Sequence, residues 1–191
     1  MRWLISLVLV LGVTFHPAPA QAEDLWSELR DDRGIVVLMR HAIAPGGGDP
    51  AGFRLGDCST QRQLSAQGRA QARAIGREFK AKKIPVAGVL SSRWCRAEGT
   101  AKLLNLGTVR TTSALDSVFT ASQQVAERKK RQAQRIIREH RGKSGVLVLV
   151  GHQANIIDVT GIAPGSGASV VVTADSQGQI KVIGELDAPH S

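Results

Sequence analysis

Residues 34–42 read GIVVLMRHA, and this stretch decides the fold. Ile35 to Met39 form an unbroken apolar run, which predicts a strand over Gly34–Met39 buried on both faces. A helix-covered parallel sheet produces that pattern, whereas a half-solvated sheet alternates apolar with polar. The run ends abruptly in Arg40 and His41, a cation and an imidazole at the tip of a core strand. Two further short apolar runs end in the same way. Residues 86–92, VAGVLSS, lead into Arg93 and Arg96, and residues 145–150, GVLVLV, lead into Gly151 and His152.

Between these runs lie helical patterns. Residues 65–84 place Gly68, Ala72, Ile75 and Phe79 near one helix face, with Ser65 as the expected N-cap. Residues 24–34, 96–107 and 155–161 read as shorter helices. Residues 122–142 read as a long basic helix with Val125, Ala133, Ile136 and Ile137 turned inward. TVRTTSAL, residues 108–115, is expected to be a third strand. Residues 168–186 read as a β-hairpin turning at Ser176–Gly178. Strands alternating with helices predict an α/β three-layer sandwich, a mostly parallel central sheet flanked by helices, with a C-terminal β-hairpin. Residues 44–60 form a long Gly- and Pro-rich loop, of a length often tied to function.

The N-terminal residues belong to a different plan. Arg2, an apolar run from Trp3 to Phe15 and a closing AQA match a secretory signal peptide over residues 1–22, cleaved after Ala22. The alternative is an uncleaved membrane anchor, for which the apolar run is short. Cleavage leaves residues 23–191, one domain in size, in the periplasm or outside the cell, with no stable membrane insertion. The chain carries a net charge of +9. The leader contains one cation and no acid, so the remainder stands at +8. That balance favours anionic partners without naming one. The cations of the basic helix lie mostly opposite Ile136 and Ile137, as on a solvated helix face, and export makes nucleic acid a poor partner. Cys58 and Cys95 are the only cysteines. In an oxidising compartment they are expected to pair, the alternative being two partly buried thiols.

In parallel α/β sheets the ligand crevice lies at the carboxyl ends of the strands. Neighbouring strands would therefore gather Arg40, His41, Arg96 and His152 on one rim. Arginine forks bind phosphate oxygens, and histidine can act as a covalent nucleophile. No carboxylate cluster accompanies them to hold a metal, so neither metal nor cofactor is expected.

The segments LMRHA, SSRWCRAEGTA and LVGHQANI resemble, in order and spacing, the motifs of the histidine phosphatase superfamily, whose fold includes the phosphoglycerate mutases. The family's Arg-His-Gly signature reads Arg40-His41-Ala42 here, a variation the family also shows. The resemblance implies a small-branch phosphatase in which His41 carries a phosphohistidine and Arg40, Arg96 and His152 clamp the phosphoryl group. It also implies an acid after the third strand that protonates the leaving oxygen. Asp116 is the candidate, its alternative role being a helix cap. Arg62, just before the first long helix, is a further phosphate-binding candidate, or else a solvated residue. Arg93 is expected at the rim, and Thr100 is expected to pack within its helix. The substrate would be a phosphorylated small molecule, or a phosphorylated glycan or lipid. The rival reading is a non-catalytic phosphate- or polyanion-binding protein on the same fold.

Overall fold

The computed structural model describes residues 19–189. Most of the leader expected over residues 1–22 lies outside them. Helix α1 spans Pro19–Asp31 and sends Leu25, Trp26 and Leu29 into the core, all beyond the expected cleavage point.

Six strands form one sheet: β1 (Val36–Arg40), β2 (Val86–Ser91), β3 (Val109–Thr111), β4 (Val146–Gly151), β5 (Ser169–Ala174) and β6 (Ile180–Leu186). Their order is β3-β2-β4-β1-β5-β6. The first four are mutually parallel, and the β5–β6 hairpin joins antiparallel to β1. The expected third strand is shorter than its sequence suggested. Thr112 leaves it to cap a 3-10 turn over Ser113–Leu115, its hydroxyl accepting from the Ala114 N–H at 3.2 Å.

Side chains alternate across the sheet, so the unbroken apolar run of β1 feeds two cores. Val37 and Met39 pack with α1, α2 (Ala66–Ala81) and α3 (Cys95–Leu104) through Trp26, Phe79 and Leu104. Val36 and Leu38 pack on the other face with α4 (Gln123–His140) and α5 (Gln153–Thr160) through Ala133, Ile137 and Ile156. This is the three-layer arrangement. Within α4, Ala133 and Ile137 are buried, while Val125 and Ile136 are only partly covered.

Two glycines let α2 sit close enough to shape the site. A Cβ on Gly68 would lie 2.0 Å from the Ile43 carbonyl oxygen, and one on Gly76 would lie 1.9 Å from that of Leu104. Ser65 caps the helix, accepting from the Gly68 N–H at 2.9 Å, and its own N–H donates to Ile43 O. The segment after His41 is thereby pinned to the start of α2.

Candidate active site

Register brings the three strand tips together. Arg40 pairs with Gly151 across β1–β4, and Ser91 pairs with Val150 across β2–β4. The pairing runs one residue past the strands: His41 N–H donates to Gly151 O, and Ser92 N–H donates to Val150 O. Arg40, His41, Ser92 and His152 therefore stand on one rim, and α3 starts just beyond it with Arg96 in its first turn. A pocket of about 320 Å³ opens there, lined among others by Arg40, His41, Asp49, Arg62, Arg96 and His152.

His41 is buried, and its Nδ1 lies 2.8 Å from the Ala42 carbonyl oxygen. An acceptor at that distance requires the proton on Nδ1, which leaves the lone pair on Nε2. Arg96 Nε–H donates to that Nε2 at 3.2 Å, consistent with the same tautomer. Burial pushes the imidazole down to about 4, the Ala42 carbonyl opposing and Arg96, Arg40 and Arg62 reinforcing the fall. Burial likewise pushes His152 well below the ordinary histidine value, helped by Arg96, His41, Arg62 and Arg40. The two rings lie edge to face with centroids 5.5 Å apart, and His152 Nε2 is hydrogen-bonded to Ser92 Oγ at 2.9 Å.

Arg40 donates through Nη1 to Pro164 O at 3.1 Å. Its Nε is the one buried side-chain nitrogen or oxygen among the described residues without a hydrogen-bond partner. Arg62 lines the pocket, with three of its nitrogens donating to the carbonyls of Ala44, Pro45 and Gly48. A guanidinium has five N–H groups, so two remain for another acceptor. Arg62 is therefore more than a solvated residue, since it also holds the loop. Among the described residues, no three of His, Cys, Asp and Glu come together as a metal-binding group.

Asp116 is placed differently from expectation. It is buried but does not line the pocket. Both carboxylate oxygens accept from the Arg93 guanidinium, Oδ1 also accepts from the Arg93 N–H, and Lys129 stands 3.8 Å away. Asn155 fastens its backbone, donating to Asp116 O at 2.9 Å. Arg93, on the strand tip beside the site, holds the carboxylate, and Asp116 is not among the residues that line the pocket.

The acid that does line the pocket is Asp49, which sequence reasoning passed over. Its Oδ1 accepts from Arg96 Nη1 at 2.8 Å and its Oδ2 from Trp94 Nε1 at 2.9 Å. The only signal for it was its position in the long Gly-rich loop. Ser92 was also missed, and Thr100 was underread. Thr100 Oγ1 donates to Arg96 O within α3, but also accepts from the Ala42 N–H at 3.0 Å, joining the strand tip that carries His41 to the helix bearing Arg96. Cys58 and Cys95 are bonded, tying the loop to the first residue of α3.

The sequence profile of the histidine phosphatase superfamily (branch 1) matches residues 36–118. No curated protein matches. Among solved structures, the protein histidine phosphatase SixA complexed with tungstate is similar, with 18% identity, a TM-score of 0.58, and coverage of 80% of this chain and 96% of that one. A phosphoserine phosphatase from Entamoeba histolytica in complex with 3-phosphoglyceric acid aligns with 12% identity and a TM-score of 0.62, covering 82% and 98% of the two chains. A mycobacterial glucosyl-3-phosphoglycerate phosphatase aligns with 17% identity and a TM-score of 0.59, covering 79% and 97%. These likenesses are of fold. The profile match spans Arg40, His41 and Arg96, which line the pocket, so this stretch of the chain is similar to the histidine phosphatase superfamily (branch 1) and the whole shares that fold.

Proposed function

We propose that the protein is an exported phosphatase that hydrolyses phosphate monoesters through a phosphohistidine on His41, without a metal. One observation carries the reading: a buried neutral imidazole presents its Nε2 lone pair inside a ring of guanidinium groups. The guanidiniums supply the positive charge that phosphoryl transfer demands of its surroundings. Arg96 and Arg40 are the principal clamps, with Arg62 and His152 completing the ring. The disulfide and the signal-like N-terminus support export. No helix among the described residues is long and apolar enough to cross a membrane.

His41 Nε2 attacks phosphorus as the bond from phosphorus to the ester oxygen breaks. The leaving oxygen takes a proton from Asp49. Water then attacks the phosphohistidine, the P–N bond breaks, and the water's proton returns to Asp49. Asp49 fits this role because it shares Arg96 with the incoming phosphate. It is the one carboxylate among the described residues that line the pocket.

The test is hydrolysis of 4-nitrophenyl phosphate by the purified protein in EDTA. Turnover should persist in wild type and vanish in His41→Ala. Rapid quench should trap an acid-labile, base-stable phosphate on His41. Phosphate trapped on another residue overturns the nucleophile, and phosphate binding without turnover of any activated ester turns the protein into a binder.

A further inference from the structure

Four large hydrophobic side chains are exposed among the described residues: Leu55, Phe119, Ile157 and Val182. Two of them, Phe119 (69% exposed) and Ile157 (40%), line the mouth of the phosphate pocket. They come from different elements. Phe119 follows the 3-10 turn after β3, while Ile157 projects from α5 with Ala154 one turn before it. A Cβ built on Gly48 would lie 3.7 Å from the Phe119 ring, so the ring stands beside the glycine loop. The pocket is thus cationic at its floor and apolar at its rim. Large apolar groups left in water around a cleft mark a ligand surface.

The polar inventory of the rim is short. Beyond the clamp and Asp49, the lining offers Ser117 and Gln153 as polar side chains. Gln153 already donates to Pro164 O at 3.0 Å. Among the described residues no lysine lines the pocket, and none of its lining comes from the basic helix α4. A sugar phosphate would find few built partners for its hydroxyls, and a bisphosphate would find no second cationic cluster. We infer that the substrate is a monophosphate ester whose alcohol is apolar, an alkyl or aryl chain that leaves the clamp between Phe119 and Ile157. This rests on the phosphatase reading and narrows it to one substrate class.

The test uses n-alkyl monophosphates from ethyl to octyl, whose leaving groups differ little in basicity, together with glycerol phosphate and glucose 6-phosphate. In wild type, kcat/KM should rise about two- to fourfold per added methylene until the rim is covered, as burial of each CH₂ group requires. Glycerol and glucose esters should fall below the butyl ester. The octyl-to-ethyl ratio, taken within each protein, should drop at least tenfold in Phe119→Ser/Ile157→Ser, chiefly through KM. A flat series, a preference for the sugar ester, or an unchanged ratio in the double variant overturns the inference while leaving the phosphatase reading intact. If wild type turns over no ester, that reading fails by itself. The rim is then judged by calorimetry with alkylphosphonates, where affinity must still rise with chain length in wild type and not in the double variant.

Discussion

If His41 is the nucleophile, its resistance to protonation should be directly measurable. Burial and three guanidiniums move its imidazole from 6.5 to about 4. That displacement corresponds to about 3 kcal/mol of discrimination against the charged ring. At pH 5.5 an ordinary imidazole is roughly 10% neutral, whereas one titrating near 4 is roughly 97% neutral, a tenfold gain in competent nucleophile. The same displacement enters stability. The folded ring binds its proton less readily than the unfolded one, so its contribution is complete above pH 6.5. About 3 kcal/mol is then lost as the pH falls through the window from 6.5 to 4. His152, displaced in the same direction, adds to the loss. The deciding assay is an NMR titration of the free protein with labelled imidazoles, because a kinetic profile also contains the ionisation of the substrate phosphate. The His41 resonance, assigned by its disappearance in His41→Asn, should stay neutral to below pH 5. Chemical denaturation at pH 7 and pH 4.5 should show the matching fall in stability, reduced in His41→Asn. A His41 midpoint at 6 or above would refute the reasoning, since the ring would then be neither desolvated nor surrounded by cations as described.

Two other consequences can be checked separately. Asp49→Asn should slow alkyl phosphates by about 100-fold or more and 4-nitrophenyl phosphate far less, since a good leaving group needs little protonation. Asp116→Asn should slow both equally; the reverse pattern returns the acid role to Asp116. Replacing Cys58 and Cys95 together by serine should lower stability by about 4 kcal/mol, read by urea denaturation, because their bond closes a loop across a sequence separation of 37. A loss below about 1 kcal/mol would mean the unfolded chain gains no freedom when the bond is removed.

The parts of the molecule visible in the sequence are those governed by burial on a repeating lattice. β1 and β4 announce themselves because both of their faces are covered, and α2 because Gly68, Ala72, Ile75 and Phe79 share one buried face. The strand tips followed, since sheet order and register turn a repeated pattern into one rim. Side chains whose roles depend on non-repeating contacts were harder to see. Asp116 sits at the chain position the resemblance indicated, yet its direction is set by Arg93, a residue 23 positions earlier. Asp49 lies in a loop with no periodicity, where only the folded path of the chain carries it to Trp94 and Arg96. Thr100 satisfies one bond inside its own helix, which concealed the second to Ala42.

That loop also shows how a long, glycine-rich segment can hold a side chain at a fixed place in a pocket. Catalytic groups must be held close to their working geometry, and a free loop of this length does not do so. Here the segment is fastened at intervals. The disulfide fixes Cys58 to the start of α3, and the Cys95 N–H donates to Gln61 Oε1 at 3.0 Å while Gln61 Nε2 returns to Arg54 O at 3.0 Å. Arg62 gathers the carbonyls of Ala44, Pro45 and Gly48, and Phe53 stacks on Trp94 with centroids 5.1 Å apart. Trp94 in turn packs edge-on against His152 and donates to Asp49. Apart from the Trp94–His152 contact, each of these fastenings joins the loop and the residues just after it to one another or to a residue within two of Arg96. The loop and the first turn of α3 therefore behave as one unit, and the clamp, the acid and the loop carrying it keep their spacing although the acid stands on irregular chain.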